Sequence, residues 1–136
     1  MKKSLFTGLC LALLLSLVLC SASCSREGER VFDTENIASI TFSAFAGEAE
    51  VPEEDMSEIK DWLDTFVLDK RISFLESMMG TAPGTNTCKV RIRYTDGSEI
   101  RHGLDVVTVD GKSYHVKREI PPACFNELIN SIGRAY

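Results

Sequence analysis

The chain of 136 residues has room for one domain of about 100 residues behind an N-terminal leader. Hydrophobic residues make up 44% and charged residues 26%, which excludes a disordered or collagen-like chain. The formal net charge of −5 excludes attraction of nucleic acid through bulk charge, and the length excludes polytopic transporters and large multi-domain enzymes.

Residues 1–23 read as a signal peptide. Lys2 and Lys3 form a positive start, and Leu5 to Cys20 is an apolar run. Small residues Ser21, Ala22 and Ser23 follow, and then Cys24. At ~1.5 Å per residue the 17 residues from Ser4 to Cys20 reach about 25 Å, short of the ~30 Å core of a bilayer. Ser21-Ala22-Ser23-Cys24 resembles the lipobox of bacterial lipoproteins, with Ser21 where that pattern favours Leu. The resemblance implies lipidation at Cys24, which becomes the mature N-terminus. Ordinary cleavage near Ala22 and a retained anchor are the alternatives. Without the leader the chain holds 13 basic and 20 acidic residues, a net charge of −7. Anionic lipids repel such a body, so attachment falls to acyl chains.

Residues 24–34 are mostly polar and charged, apart from Val31 and Phe32, and read as a lipid-anchored tether. A single domain over residues 35–136 follows. Ile37 to Phe45 alternates as a strand, and Ala46-Gly47 permits a turn into a short strand from Glu48 to Val51. Asp55 to Asp69 carries a helical stripe of Met56, Ile59, Trp62, Leu63, Phe66 and Val67, with Asp55 and Glu58 spaced as a capping box. Arg71 to Met79 reads as a strand, and residues 80–87 as a loop.

Cys88 to Tyr94 alternates cleanly, with Cys88, Val90, Ile92 and Tyr94 on one face and Lys89, Arg91 and Arg93 on the other. A turn with Gly97 in the left-handed region pairs Ile92 with Ile100 and Arg93 with Glu99. The next strand runs through Leu104, with Gly103 as a candidate bulge. Val106 to Val109 and Lys112 to Lys117 form a hairpin around Asp110-Gly111. Pro121-Pro122 opens a terminal helix with Cys124, Phe125, Leu128, Ile129 and Ile132 as its apolar stripe. This order predicts an α+β fold, a mainly antiparallel sheet of four to six strands with two helices on one face. From Asn36-Ile37 and Ile40 onward, the outline resembles small envelope lipoprotein domains. That resemblance implies no activity.

No G-x-S-x-G, H-E-x-x-H or P-loop pattern occurs, and no catalytic, cofactor-binding or metal residues are assigned. His102 and His115 fall on different predicted strands and read as exposed strand histidines. The acidic cluster from Glu48 to Asp64 lacks the spacing of a calcium loop and reads as a solvated face. Lys89, Arg91 and Arg93, joined by Arg101 through the register, form a candidate anion-binding face; the alternative is an ordinary wet sheet face. Cys88 and Cys124 are an even pair outside the leader, so a disulfide is expected between them, with separate buried thiols as the alternative.

The leading expectation is a non-catalytic, envelope-tethered binding or assembly domain, held by its lipid on the outer side of the cell membrane. Its expected partners are that membrane and an envelope protein or anionic polymer. The alternatives are a small envelope enzyme or hydrolase accessory using a carboxylate pair, and an inhibitor module presenting the 80–87 loop. A deep pocket with convergent carboxylates favours the enzyme, and a shallow sheet surface favours the binder.

Overall fold

A computed structural model describes residues 25–79 and 88–134. The leader, Cys24 and the 80–87 loop lie outside the described residues. The fold is α+β, with two antiparallel sheets and both long amphipathic helices. Among the described residues, no helix is long and apolar enough to cross a membrane.

The larger sheet has the order β2-β1-β4-β5, built from β1 (Ile37–Ala44), β2 (Gly47–Glu50), β4 (Lys89–Tyr94) and β5 (Glu99–Gly103). Strict alternation explains it. Phe42 pairs with Val90 and Ile40 with Ile92, and all four side chains are fully buried. The β4–β5 turn is held by Asp96, whose carboxylate accepts from the Ser98 amide at 2.8 Å and hydroxyl at 2.6 Å. Gly97 has φ 86°, so the left-handed position is filled by the residue that adopts it at no steric cost. The resulting register sets Ile92 opposite Ile100 and Arg93 opposite Glu99, as expected. Gly103 is a close approach and not a bulge, since a Cβ there would lie 2.8 Å from the Val106 carbonyl oxygen.

The smaller sheet has the order β3-β7-β6, from β3 (Val67–Arg71), β6 (Val106–Val109) and β7 (Lys112–Lys117). Asp110 and Gly111 both have positive φ, 49° and 72°, the signature of a type I′ hairpin turn. Leu68, Val107 and Tyr114 form its buried cluster. A single sheet was expected. Among the described residues the strands instead divide between two sheets, because the corner at Leu104 and Asp105 separates β5 from β6.

Three local expectations are corrected. The helix expected over Asp55–Asp69 is shorter. A 3-10 turn over Glu53–Asp55 leads into α1 (Met56–Leu63), and Asp55 makes no side-chain cap. Beyond Leu63 the Thr65 hydroxyl donates to the Trp62 carbonyl at 2.7 Å, and the Thr65 and Phe66 amides close three-residue bonds. That tight turn ends the helix and releases Val67 into β3. Phe66 and Val67 fit a helical stripe and a strand equally well.

The strand expected over Arg71–Met79 is a short helix, α2 (Phe74–Met78). Ser73 caps it by accepting from the Glu76 amide at 3.2 Å, while the Glu76 carboxylate accepts from the Ser73 amide at 3.4 Å. This is a complete capping box, and it decides the local conformation against strand.

The segment read as a tether is docked. Arg30 bridges Val67 in antiparallel sense. The Gly28 amide donates to the Leu68 carbonyl at 2.6 Å, the Leu68 amide to the Glu29 carbonyl at 2.8 Å, and the Val31 amide to the Phe66 carbonyl at 2.9 Å. Phe32 is 3% exposed. The free edge of β3 needs partners for its backbone groups, and two apolar residues are enough to hold the segment there.

The main core lies between the inner face of the larger sheet and the helices α1 and α3 (Ala123–Arg134), both packed on that face. Ile59, Trp62 and Leu63 of α1 and Phe125 of α3 meet Ile40, Phe42, Val90 and Ile92 there. The other sheet face is left open. Because Phe32 is a core residue, Phe32→Ala should lower the unfolding free energy by about 3–5 kcal/mol in chemical denaturation. A free tether would give almost no change.

Candidate functional site

The outer face of the larger sheet collects the residues of alternate parity. In one row Ser43 pairs with Glu48 and Lys89, and Lys89 pairs with Gly103. In the next, Thr41 lies between Glu50 and Arg91, and Arg91 lies opposite Arg101. In a third, Ser39 pairs with Arg93, and Arg93 with Glu99. The four cations expected to share a surface therefore do share one. Thr41 is the one polar residue buried among the described residues, at 8% exposure, beneath the long side chains beside it.

Direct opposition of Arg91 and Arg101 is repulsive and needs neighbouring anions. Arg91 pairs with Glu48 at 3.1 Å. Glu99 takes both Arg101 at 2.9 Å and Arg93 at 3.5 Å. The hydrogen bond from Arg101 holds the Glu99 carboxyl below its ordinary range, with the charges of Arg101, Arg91 and Arg93 adding to the effect. Lys89 has no ion pair among the described residues. These pairs are solvent-exposed, so they contribute little to stability and leave the cations able to exchange partners.

The same residues line an open cleft of about 280 Å³, bounded by Ser43, Glu48, Lys89, Arg91, Arg101, His102 and Gly103. Most of its lining side chains are polar or charged, and Glu48 is its one carboxylate. Gly103 adds no side chain to the row it shares with Lys89. Arg93 lies on the same face but outside the cleft lining. The expected face is thus real as an arrangement, and its cations are partly neutralised by acids that the sequence placed on neighbouring strands.

The two histidines do not meet. His102 pairs with Val90 on the inward register and packs against the Phe32 ring, with centroids 5.8 Å apart. Burial lowers its pKa below the ordinary 6.5. His115 pairs with Val106 and shares a hydrogen bond of 3.1 Å with Glu76. That bond is the leading cause that holds the Glu76 carboxyl below its ordinary range. Neither is the exposed strand histidine expected. Among the described residues no three His, Cys, Asp or Glu side chains converge as a metal site.

The expected Cys88–Cys124 disulfide is also corrected. Both are free thiols. Parity turns both toward the main core, as the stripe predicted, but among different neighbours. Cys88 precedes β4, where Asp105 and Arg118 act on it, and its pKa rises to about 11, chiefly through burial. Cys124, in the first turn of α3, reaches the Glu58 carboxylate of α1 at 3.6 Å. Burial and the Glu58 charge push its pKa up as well. Both thiols are held protonated, which suppresses thiolate chemistry.

The acidic cluster stays dispersed. Glu48 of β2 pairs with Arg91, and Asp64 pairs with Arg30 of the docked N-terminal segment. The loop read as an inhibitory element lies outside the described residues. Comparison with family models, curated proteins and solved structures finds no match to the chain.

Two outcomes follow from these environments. His102 has a lower pKa in the folded chain than when unfolded, so the fold favours its neutral form. Its contribution to stability is full above the unfolded pKa, about 6.5, and is lost as pH falls through the folded value. Melting curves from pH 7.5 to 5 should show that loss, and His102→Phe should flatten it. In the native domain at pH 8, Cys88 and Cys124 should react slowly with a thiol reagent, and both should react fully after denaturation without reductant.

Proposed function

We propose that the chain is an exported, lipid-anchored, non-catalytic domain of the cell envelope that binds an anionic polymer or headgroup on its outer sheet face. The observation that carries this reading is the strand register, which gathers Lys89, Arg91 and Arg101 around an open cleft on the face that both packed helices leave free. The signal-like leader and Cys24 support export and attachment to the membrane through acyl chains. A carboxylate-pair enzyme finds less support, because the cleft is lined by a single carboxylate, which Arg91 already engages.

The ligand chemistry implied is multivalent and negatively charged. Spaced cations on a flat sheet suit a repeating anion better than one small molecule, which needs an enclosing pocket. Lys89 is ready to bind, whereas Arg91 and Arg101 trade Glu48 and Glu99 for the ligand. The cost of a trade between exposed partners is small.

The test is capture of the full mature protein on dextran sulfate beads, with neutral dextran as the control. Lys89→Gln/Arg91→Gln/Arg101→Gln should weaken capture roughly tenfold. Glu48→Gln, which frees Arg91, should strengthen it. Capture should fall as salt rises, since exposed charges are screened beyond about 8–10 Å at physiological ionic strength. Equal retention of parent and triple variant would remove the sheet face from the proposal. An unmodified Cys24 in the intact mass of the exported protein would remove the anchor.

A further inference from the structure

Among the described residues, helix α2 and its C-cap Met79 carry the largest group of exposed apolar side chains. Phe74, Leu75, Met78 and Met79 are 78%, 69%, 69% and 73% exposed. At about 100° per residue these four occupy one arc of roughly 140° on the helix. Glu76 falls outside that arc, and its carboxylate is turned inward to Ser73 and to His115 of β7. The capping box and the histidine therefore fix the rotation of the helix, with its apolar arc directed away from the body. Scattered single apolar residues are ordinary on a surface, but four contiguous large ones are not.

The chain's N-terminal end arrives at the same place. Residues 28–31 run antiparallel to β3, so the start of that segment lies toward the end of β3 that leads into α2. Arg26 confirms the direction, since its guanidinium pairs with Asp110 in the β6–β7 turn at 2.7 Å. At that end of the sheet the Ile72 amide donates to the Ser113 carbonyl at 2.9 Å, one residue before the Ser73 cap. Cys24 precedes Arg26 by two residues in the sequence.

We propose that the apolar arc of α2 seats in the boundary between headgroups and acyl chains of the bilayer that holds the Cys24 lipid. This inference rests on lipidation at Cys24. A lipid there brings the membrane to the end of the domain where Phe74, Leu75, Met78 and Met79 point outward. The contact is apolar, so it does not depend on the charge of a body that anionic lipids repel. It supplies a second membrane signal beside the acyl chains and fixes which end of the domain faces the bilayer.

The test uses the full exported protein in phosphatidylcholine vesicles, with and without brominated acyl chains. Leu75→Trp places a reporter on the exposed arc, where folding tolerates it. The native Trp62 is 5% exposed in the core and provides the unquenched background in the parent chain. The expected result is a blue-shifted emission from the added Trp and loss of its intensity in brominated vesicles, with no loss in the parent. In the same samples, intact mass reports on Cys24. An acylated Cys24 with an unquenched reporter overturns the inference and leaves the anchor standing. An unmodified Cys24 overturns the anchor and the inference with it. A reporter shielded from brominated lipid in a cross-linkable dimer overturns the inference by assigning the arc to a second copy.

Discussion

A row of aromatic rings holds the larger sheet, two helices and the N-terminal segment in one unit. Phe32 meets Phe66 edge-on at 5.4 Å, Phe66 meets Trp62 at 4.9 Å, and Trp62 meets Phe125 at 4.6 Å. Phe125 closes on Phe42 at 5.0 Å. Each ring comes from a different element except the Trp62–Phe66 pair, which spans the end of α1. Edge-to-face packing of this kind adds to the burial of large apolar area. The polar end of the row is satisfied too. The Trp62 indole donates to the Glu119 carbonyl at 3.0 Å, and the Glu119 amide donates to Thr65 at 3.2 Å. Arg118 sits over Phe66, with its guanidinium carbon 5.5 Å from the ring centroid, and pairs with Asp105 at 2.7 Å. The exit of α1, the end of β7 and the corner between the sheets are thereby bound to one another.

This arrangement also explains why the outer sheet face is free to be polar. Every large apolar residue of β1 and β4 goes inward to the aromatic row, and period-two alternation sends Lys89, Arg91 and Arg93 outward as a consequence. The face is then shaped by electrostatics alone. Cations on β4 and β5 face one another across the ladder, and Glu48 and Glu99 on adjacent positions keep that opposition tolerable.

The parts of the fold legible in the sequence are those where one physical signal acts without a competitor. Alternation with a fixed turn placed β1, β4, β5 and the β6–β7 hairpin, including the pairing of Arg93 with Glu99. The same alternation brought Lys89, Arg91, Arg93 and Arg101 to one face. Where two signals coincide, the sequence is ambiguous. Phe66 and Val67 continue a helical stripe and also begin a strand, and the choice is made by Thr65 and by the edge that residues 28–31 provide. Ser73 and Glu76 do carry a local signal, the capping box, which was outweighed by the apolar run around them. Val31 and Phe32 were visible, but their docking depends on β3, itself hidden within the expected helix. The cysteine pairing failed for a related reason. Parity gives the face of an element and says nothing about which neighbours lie beside it, and those of Cys88 and Cys124 differ.

The docked N-terminal segment has a consequence for how the chain reaches its final state. Residues 28–32 are made well before their partners Phe66, Leu68 and His102, and Arg26 contacts a residue 84 positions away. Contacts of such long sequence separation raise the entropic cost of closure and slow folding. Phe32 thus stays in water until β3 and β5 have both been synthesised, and the core cannot close around a partial chain. Folding to completion is in this sense postponed until nearly the whole domain is available.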